Sequence, residues 1–457
     1  MKRNCNHMKK TLLLTLALGV ASASSLVAAN VDVYITGSTA FRANVYTACT
    51  KLFVGDAPTI YYGDTAHGGA TSGFNSGTAV WTMIGTPIST LTNLQGNALI
   101  VHGNFTGSTQ GLQTTEQGVR LVWANDDGTA GGNCATYVTN TPTIGFSDAS
   151  GSASPYPATG NFIEENVCVQ PFVWCKSQAT SGGVTTISNI TWEEAEYGMT
   201  AGRIPLSAWS YQSGDTNKFI YLMQRTKDSG TRRCETAGEY YQFNDPVGIY
   251  IYDYTNHFFY TPTVLAATTF GSSPNGVVGP AGFNNVNLNW GYGFVGGGDV
   301  KNSLNNNDSA NQAIGYLSIA DAKGVGSANW NNVISYNGIW PTAAGAGIHG
   351  NAGANDYTPI TLGYYPLWGF EVLVFSTTPN QFGDQDITST ELGDEYTPGS
   401  FMGVFNAQSF NNGGVLTVGS IENEIILSQP AGATAIPLAA MVNSRPSVGG
   451  TIFPPFQ

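Results

Sequence analysis

Arg225-Thr226-Lys227-Asp228-Ser229-Gly230-Thr231 follows the apolar run Phe219-Ile220-Tyr221-Leu222-Met223 and precedes residues 232–241, where Glu235, Ala237 and Glu239 read as a helix. The run has strand character. The whole stretch is therefore a strand delivering Arg225 into a Ser-Gly-Thr turn at a helix start, the repeating unit of an α/β fold. Such a turn gathers backbone N–H groups and short hydroxyls beside a guanidinium, which is the donor set an anion needs. Ser-Gly-Thr alone is common in loops, so the weight of this reading depends on partners elsewhere in the chain.

The same unit recurs upstream. Val31-Asp32-Val33-Tyr34-Ile35 alternates as a first strand, enters Thr36-Gly37-Ser38-Thr39-Ala40-Phe41, and leads into a helix expected over 42–54. Ala98-Leu99-Ile100-Val101-His102-Gly103-Asn104 is a strand ending in Phe105-Thr106-Gly107-Ser108-Thr109-Gln110-Gly111, with a helix expected over 112–119. Residues 61–92 form a Gly/Ser/Thr-rich excursion around a hairpin, with a strand at 79–84. Pro142-Thr143-Ile144-Gly145-Phe146-Ser147-Asp148-Ala149 is a third strand end, delivering a carboxylate. Ligands of α/β folds sit beyond the carboxyl ends of the strands.

The extended runs 167–175 and 364–375 suit a crossover into a second domain and a return from it. Between them, 247–252 reads as an aromatic strand, 284–308 as an Asn/Gly-rich loop, and 315–322 as regular structure. No fixed-period repeat emerges. Domain organisation follows: a signal peptide at 1–29, a discontinuous lobe I of 30–168 plus 362–457, and lobe II at 172–358.

Only 10% of the 457 residues are charged, against roughly 25% in an average protein; Gly, Asn, Ser and Thr fill the surface instead, as suits a secreted bacterial protein. Lys2, Arg3, Lys9 and Lys10 precede the apolar run 12–20, and Val27-Ala28-Ala29 offers a cleavage site after Ala29. Cys5 lies too early for a lipoprotein signal, and no later stretch reaches the roughly 18 apolar residues of a membrane span. The expected localisation is periplasmic or secreted. Removing residues 1–29 takes away four basic groups and no acidic one, moving the net charge from −13 to −17. That argues against general nucleic-acid binding and gives no long-range attraction to an anion, so anion capture must rest on local geometry.

Five cysteines remain after processing: Cys49, Cys134, Cys168, Cys175 and Cys234. One or two disulfides, with Cys168 and Cys175 the nearest pair, and reduced core thiols both stay open. His67, His102, His257 and His349 have neither metal nor triad spacing and read as surface or hydrogen-bonded histidines. Asp384, Asp386, Thr388 and Glu395 mimic a calcium loop, but Ser389 stands where the loop needs Gly. The aromatic stretch 250–260 reads as core or sheet-face packing, with a carbohydrate platform as the other reading. Nucleophile elbow, Walker loop and dinucleotide fingerprint are all missing, and no cofactor is expected. The chain reads as a non-enzyme.

The ordered pieces Gly37–Phe41, Gly107–Gly111, Ile144–Ala149, Arg225–Thr231 and Ile314-Gly315-Tyr316-Leu317, with the Tyr365-Pro366 return strand, resemble the periplasmic phosphate-binding proteins of ABC import systems. The resemblance implies an α/β, two-lobed type II periplasmic-binding-protein-like fold with an interdomain ligand cleft. It implies phosphate, or a similar oxyanion, contacted by Ser38, Thr39, Ala40, Phe41, Ser108, Asp148, Arg225, Ser229, Gly230 and Thr231, and an ABC permease as partner. Ala40, Arg42 in place of a frequent proline, and the extra charges Arg232 and Arg233 depart from the family pattern. An ionised Asp148 accepts hydrogen bonds only, so it suits hydrogen phosphate and repels sulfate. The alternative is a secreted or cell-surface structural protein that keeps the fold without transport.

Overall fold

The strand β1 (Asn30–Gly37) runs parallel to two neighbours and sets the geometry of everything near the site. After it the chain forms α1 (Arg42–Thr50), β2 (Thr59–Tyr62), β3 (Val80–Gly85), β4 (Ala98–Asn104), α2 (Ser108–Glu116), β5 (Leu121–Ala124), β6 (Tyr137–Asn140) and β7 (Ile144–Ser147). A long strand β8 (Phe162–Lys176) leads to β9 (Asn189–Ile190), α3 (Trp192–Ala201), β10 (Arg203–Pro205), β11 (Phe219–Met223), α4 (Gly230–Gly238), β12 (Ile251–Asp253) and β13 (Phe258–Tyr260). Then follow α5 (Gly297–Leu304), β14 (Ala313–Ser318), α6 (Ile319–Ala322), β15 (Val333–Tyr336) and a second long strand, β16 (Trp368–Ser376).

This structure is a computed structural model and describes residues 30–67, 69, 73–74, 78–151, 154, 156, 161–178, 183–226, 229–238, 251–253, 258–260, 293–294, 296–305, 312–326, 330, 332–343, 356–376, 378, 382, 387–394, 396–406, 420–421, 425 and 435–443. The signal-peptide reading of 1–29, Lys227, Asp228, His257, His349, Asp384, Asp386 and Glu395 lie outside the described residues, as do residues 250 and 254–257 of the aromatic stretch.

The fold is mixed α/β. One large sheet has the order β10-β11-β14-β8-β16-β7-β1-β4-β3-β2. Strands β7, β1 and β4 are parallel to one another, so their carboxyl ends emerge at one edge. Strands β11 and β14 form a second parallel pair. The antiparallel β8 and β16 join the two groups, pairing with each other from Trp368 to Ser376. Their side chains divide between two apolar cores. Val167, Cys168, Leu373 and Phe375 belong to the core around β1, β4 and β7, whereas Val169, Phe172, Trp174, Leu367 and Trp368 belong to the core around β11 and β14. Ala435 joins the first core and Ile436, bridged to Val169, the second.

Local chemistry explains the junctions. Gly37 ends β1 at φ +126°, and a Cβ there would lie 2.0 Å from the Phe146 carbonyl oxygen, so only glycine lets β1 and β7 close at this point. Helix α1 stops at Thr50 rather than running to 54. Helix α2 begins at Ser108, earlier than residue 112, which puts Ser108 itself in the first turn. Within the Asn/Gly-rich stretch read as a loop, residues 297–304 form α5. Asp299 there accepts the Gly296 N–H at 3.1 Å, and Val300 and Leu304 supply a buried face against β14.

All five cysteines are buried thiols, so the disulfide alternative is not the one adopted. His102 is buried, with Nε2 3.0 Å from Asp32 Oδ1 and its ring stacked on Tyr34, while His67 pairs with Asp64 at 2.7 Å. Among the described residues no cluster of three or more His, Cys, Asp or Glu suits a metal, and no helix is long and apolar enough to cross a membrane. Thr388 caps a short helix at Ser389–Leu392.

Candidate oxyanion site

Three strand ends from the first core meet one strand end from the second. Ser38 follows β1, Ser108 follows β4, and Asp148 follows β7; the parallel register puts all three at the same sheet edge. Arg225 follows β11, and Ser229, Gly230 and Thr231 open α4. Every one of these residues is buried, none more than 5% exposed among Ser38, Ser108, Asp148, Arg225, Ser229 and Thr231. Thr39, Ala40 and Phe41 are buried beside them, in the turn before α1.

Asp148 is the hub. Ser38 Oγ donates to its Oδ1, and Thr231 Oγ1 donates to its Oδ2 at 3.1 Å. One carboxylate thus receives a hydroxyl from the turn after β1 and another from the start of α4. Thr231 Oγ1 in turn accepts from Arg225 Nη1 at 3.3 Å, and Arg225 Nε donates to the Phe294 carbonyl at 3.2 Å. The Asp148 backbone carbonyl accepts from the Cys234 thiol at 3.1 Å. Ser38 Oγ also accepts the Phe41 N–H at 3.2 Å, which ties the turn before α1 to the same chain of bonds. Ser229 Oγ accepts the Arg232 N–H at 3.3 Å, as helix-start hydroxyls do.

Gly230 brings the two sides into contact. A Cβ at this position would lie 2.5 Å from Ser108 Cβ and 2.8 Å from Asp148 Cβ. No side chain larger than hydrogen fits between them. Ser108 makes its approach here.

The electrostatics bring in residues outside the expected ligand set. Burial lowers the pKa of Arg225, and Asp321, Asp148 and Asp299 oppose that shift, while Arg42 adds to it. Arg42 on α1 is also depressed by burial and supported by Asp321 and Asp299. Those two carboxyls come from α6 and the first turn of α5; a Cβ on Gly297 would lie 2.0 Å from Asp321 Oδ2 and 3.5 Å from Arg225 Nη1. Burial raises Asp299, opposed by the Gly296 N–H and by Arg225. Glu235 on α4 is pushed up to about 8, mainly by burial, against the help of Gln224, Arg232 and Arg225. Glu371 on β16 is raised well above the ordinary carboxyl range by burial and by Asp148. Arg232 is buried and donates from Nη1 to the Arg225 carbonyl at 3.3 Å; Arg233 is buried on the same helix.

The signals for the missed residues differ. Glu371 is a single carboxylate inside the apolar strand Trp368–Ser376, a pattern readable as a buried acid in need of a reason. Asp321 stood in a run already read as regular structure, and Asp299 was hidden by Gly296-Gly297-Gly298. Arg42 on α1 and Asp321 on α6 come from distant parts of the chain, a pairing that no local pattern can reveal.

No protein-family model matches the chain, and no curated protein matches it in sequence. Solved structures do match. One is an ABC-type phosphate transport receptor from Vibrio cholerae, at 13% identity and TM-score 0.33, covering 76% of this chain and 88% of the other. Another is a high affinity periplasmic phosphate-binding protein bound with phosphate, at 11% identity and TM-score 0.36, covering 89% and 90%. A phosphate-binding protein from Stenotrophomonas maltophilia matches at 13% identity and TM-score 0.30, covering 76% and 79%. These are among the solved structures to which the chain is similar.

Proposed function

We propose that this chain is a secreted, non-enzymatic solute-binding protein that captures inorganic phosphate, or a closely related protonated oxyanion, between two lobes formed by 30–168 with 362–457 and by 172–358. The observation that carries the reading is Asp148, a buried carboxylate hydrogen-bonded by Ser38 from one side and by Thr231 from the other, with Arg225 next in line. Hydrogen phosphate can take over these bonds. Its P–OH donates to Asp148, and its remaining oxygens accept from Ser38, Ser108, Ser229, Thr231, Arg225 and the N–H groups around Thr39, Ala40, Phe41 and Gly230. Helix starts at α1, α2 and α4 add favourable dipoles.

Local dipoles do this work rather than net charge, because Asp299 and Asp321 offset Arg42 and Arg225. Sulfate has no proton to give Asp148. Leaving that acceptor opposed by another oxygen costs about 1–3 kcal/mol, and more for charged groups, enough for marked discrimination. Entry and release need the lobes to part, with β8 and β16 as the hinge strands. An ABC permease is the partner such a receptor would serve.

A second reading has one observation in its favour: the hydroxyls of Ser38 and Thr231 already satisfy Asp148, and Gly230 already abuts Ser108. A secreted structural protein with a permanently closed cleft would look the same. Calorimetric titration of phosphate-stripped protein with phosphate, sulfate and molybdate separates the two. Phosphate binding with sulfate rejected is expected of a receptor; no heat with any oxyanion rules the receptor out.

A further inference from the structure

Glu371 is the buried acid for which anion capture through Asp148 gives no role. It sits on β16, where Val372 pairs antiparallel with Ser147 of β7, so the same register sets Glu371 opposite Asp148. On its other side Glu371 pairs with Cys168 of β8, and the register shifts between Glu371 and Val372. Irregularities of this kind re-aim a side chain and favour the neighbourhood of functional sites. The residue is 0% exposed, and neither carboxyl oxygen makes a hydrogen bond of ordinary geometry. The carboxyl faces Asp148 and the Ser38 hydroxyl. Around this pair stand the Cys234 thiol, bonded to the Asp148 carbonyl and close to Gly369, and Arg225 beyond Thr231. Asp299, Asp321 and Arg42 lie further along the cleft, acting on Arg225.

A fully buried carboxylate is among the costliest groups a protein can hold, and two adjacent carboxyls cannot both ionise readily. Burial first, and then the charge of Asp148, shift Glu371 towards its protonated form. We infer that Glu371 is a carboxylic acid in the folded protein and that, by keeping the Asp148–Glu371 pair at a single negative charge, it determines which oxyanion charge the cleft tolerates. This rests on the phosphate reading for its ligand, but not for the state of Glu371 itself. One proton on two carboxyls presents one donor and one acceptor, a match for a partly protonated oxyanion. When base removes the Glu371 proton, two carboxylates confront the ligand and capture fails.

Two experiments on the full chain test this. In the first, thermal unfolding without ligand is followed against pH for the wild type, Glu371→Gln and Glu371→Leu. An unfolded Glu titrates near about 4.3. With the folded pKa raised, the native state holds the extra proton above that value, so wild-type stability falls as pH rises through this window. Both variants lack this fall, so their Tm relative to wild type is expected to climb as pH rises above about 4.5. A difference that stays flat or shrinks overturns the assignment, and two variants guard against one failing to fold. In the second, phosphate affinity is followed as pH is raised. Wild type is expected to lose about tenfold per unit once Glu371 ionises, whereas Glu371→Gln shows no such fall. The same loss in both overturns the role in capture. If wild type binds no phosphate at any pH, the receptor reading falls with the capture role, and the unfolding series still decides whether Glu371 is protonated.

Discussion

At the residue scale the account turns on Asp148. Replacing it by Asn keeps shape and burial but adds N–H donors that sulfate can accept. Asp148→Asn is therefore expected to narrow the preference for phosphate over sulfate by about 1–3 kcal/mol, roughly fivefold to 150-fold, read from paired calorimetric titrations. Unchanged selectivity would remove Asp148 from the ligand's first contacts. Arg225 is held by the Phe294 carbonyl and Thr231; Arg225→Ala is expected to abolish measurable phosphate binding. Retained affinity would reduce the guanidinium to a scaffold for α4. The strand-end placement of Ser38, Ser108, Asp148 and Arg225 was legible because each follows an extended run with a polar turn. Arg42, Asp299 and Asp321 were not, because their significance arises only where separate elements meet around Arg225.

At the scale of elements, alternation and turn chemistry revealed β1, β4, β7 and β11 almost residue for residue, because apolar strands ending in Gly, Ser and Asp leave little choice of conformation. Helix limits were less legible. Helix α2 starts at the hydroxyl-bearing Ser108 rather than at the first apolar residue, and α5 forms despite three consecutive glycines, because Val300 and Leu304 pack against β14. Tertiary burial overrides poor propensity there. Two glycines test the junctions. Gly37→Ala is expected to lower stability by on the order of 3 kcal/mol in a denaturant melt, from positive φ and the approach to Phe146 combined. Gly230→Ala places a methyl against Ser108 and Asp148 and is expected to weaken phosphate binding about tenfold or more. Tight binding in that variant would mean that the cleft closes on its ligand without Gly230 touching Ser108.

At the scale of the molecule, two cores share β8 and β16, and the residues of the candidate site gather where the core changes along those strands. The two long strands were visible in sequence as the extended runs of 167–175 and 364–375. What sequence could not give is the set of contacts at the site, since Ser38–Asp148–Thr231 spans 193 positions of chain between Ser38 and Thr231 only through folding. If β8 and β16 act as hinges, small-angle scattering should show the phosphate-free protein expanded and contraction on adding phosphate; identical profiles would favour a permanently closed cleft. The most direct measurement is calorimetric titration of folded, phosphate-stripped wild-type protein with phosphate and then with sulfate. Saturable one-site binding of phosphate, with sulfate bound far more weakly, is the expected result; folded protein that takes up no phosphate, or takes both anions equally, would contradict the oxyanion clamp built on Asp148.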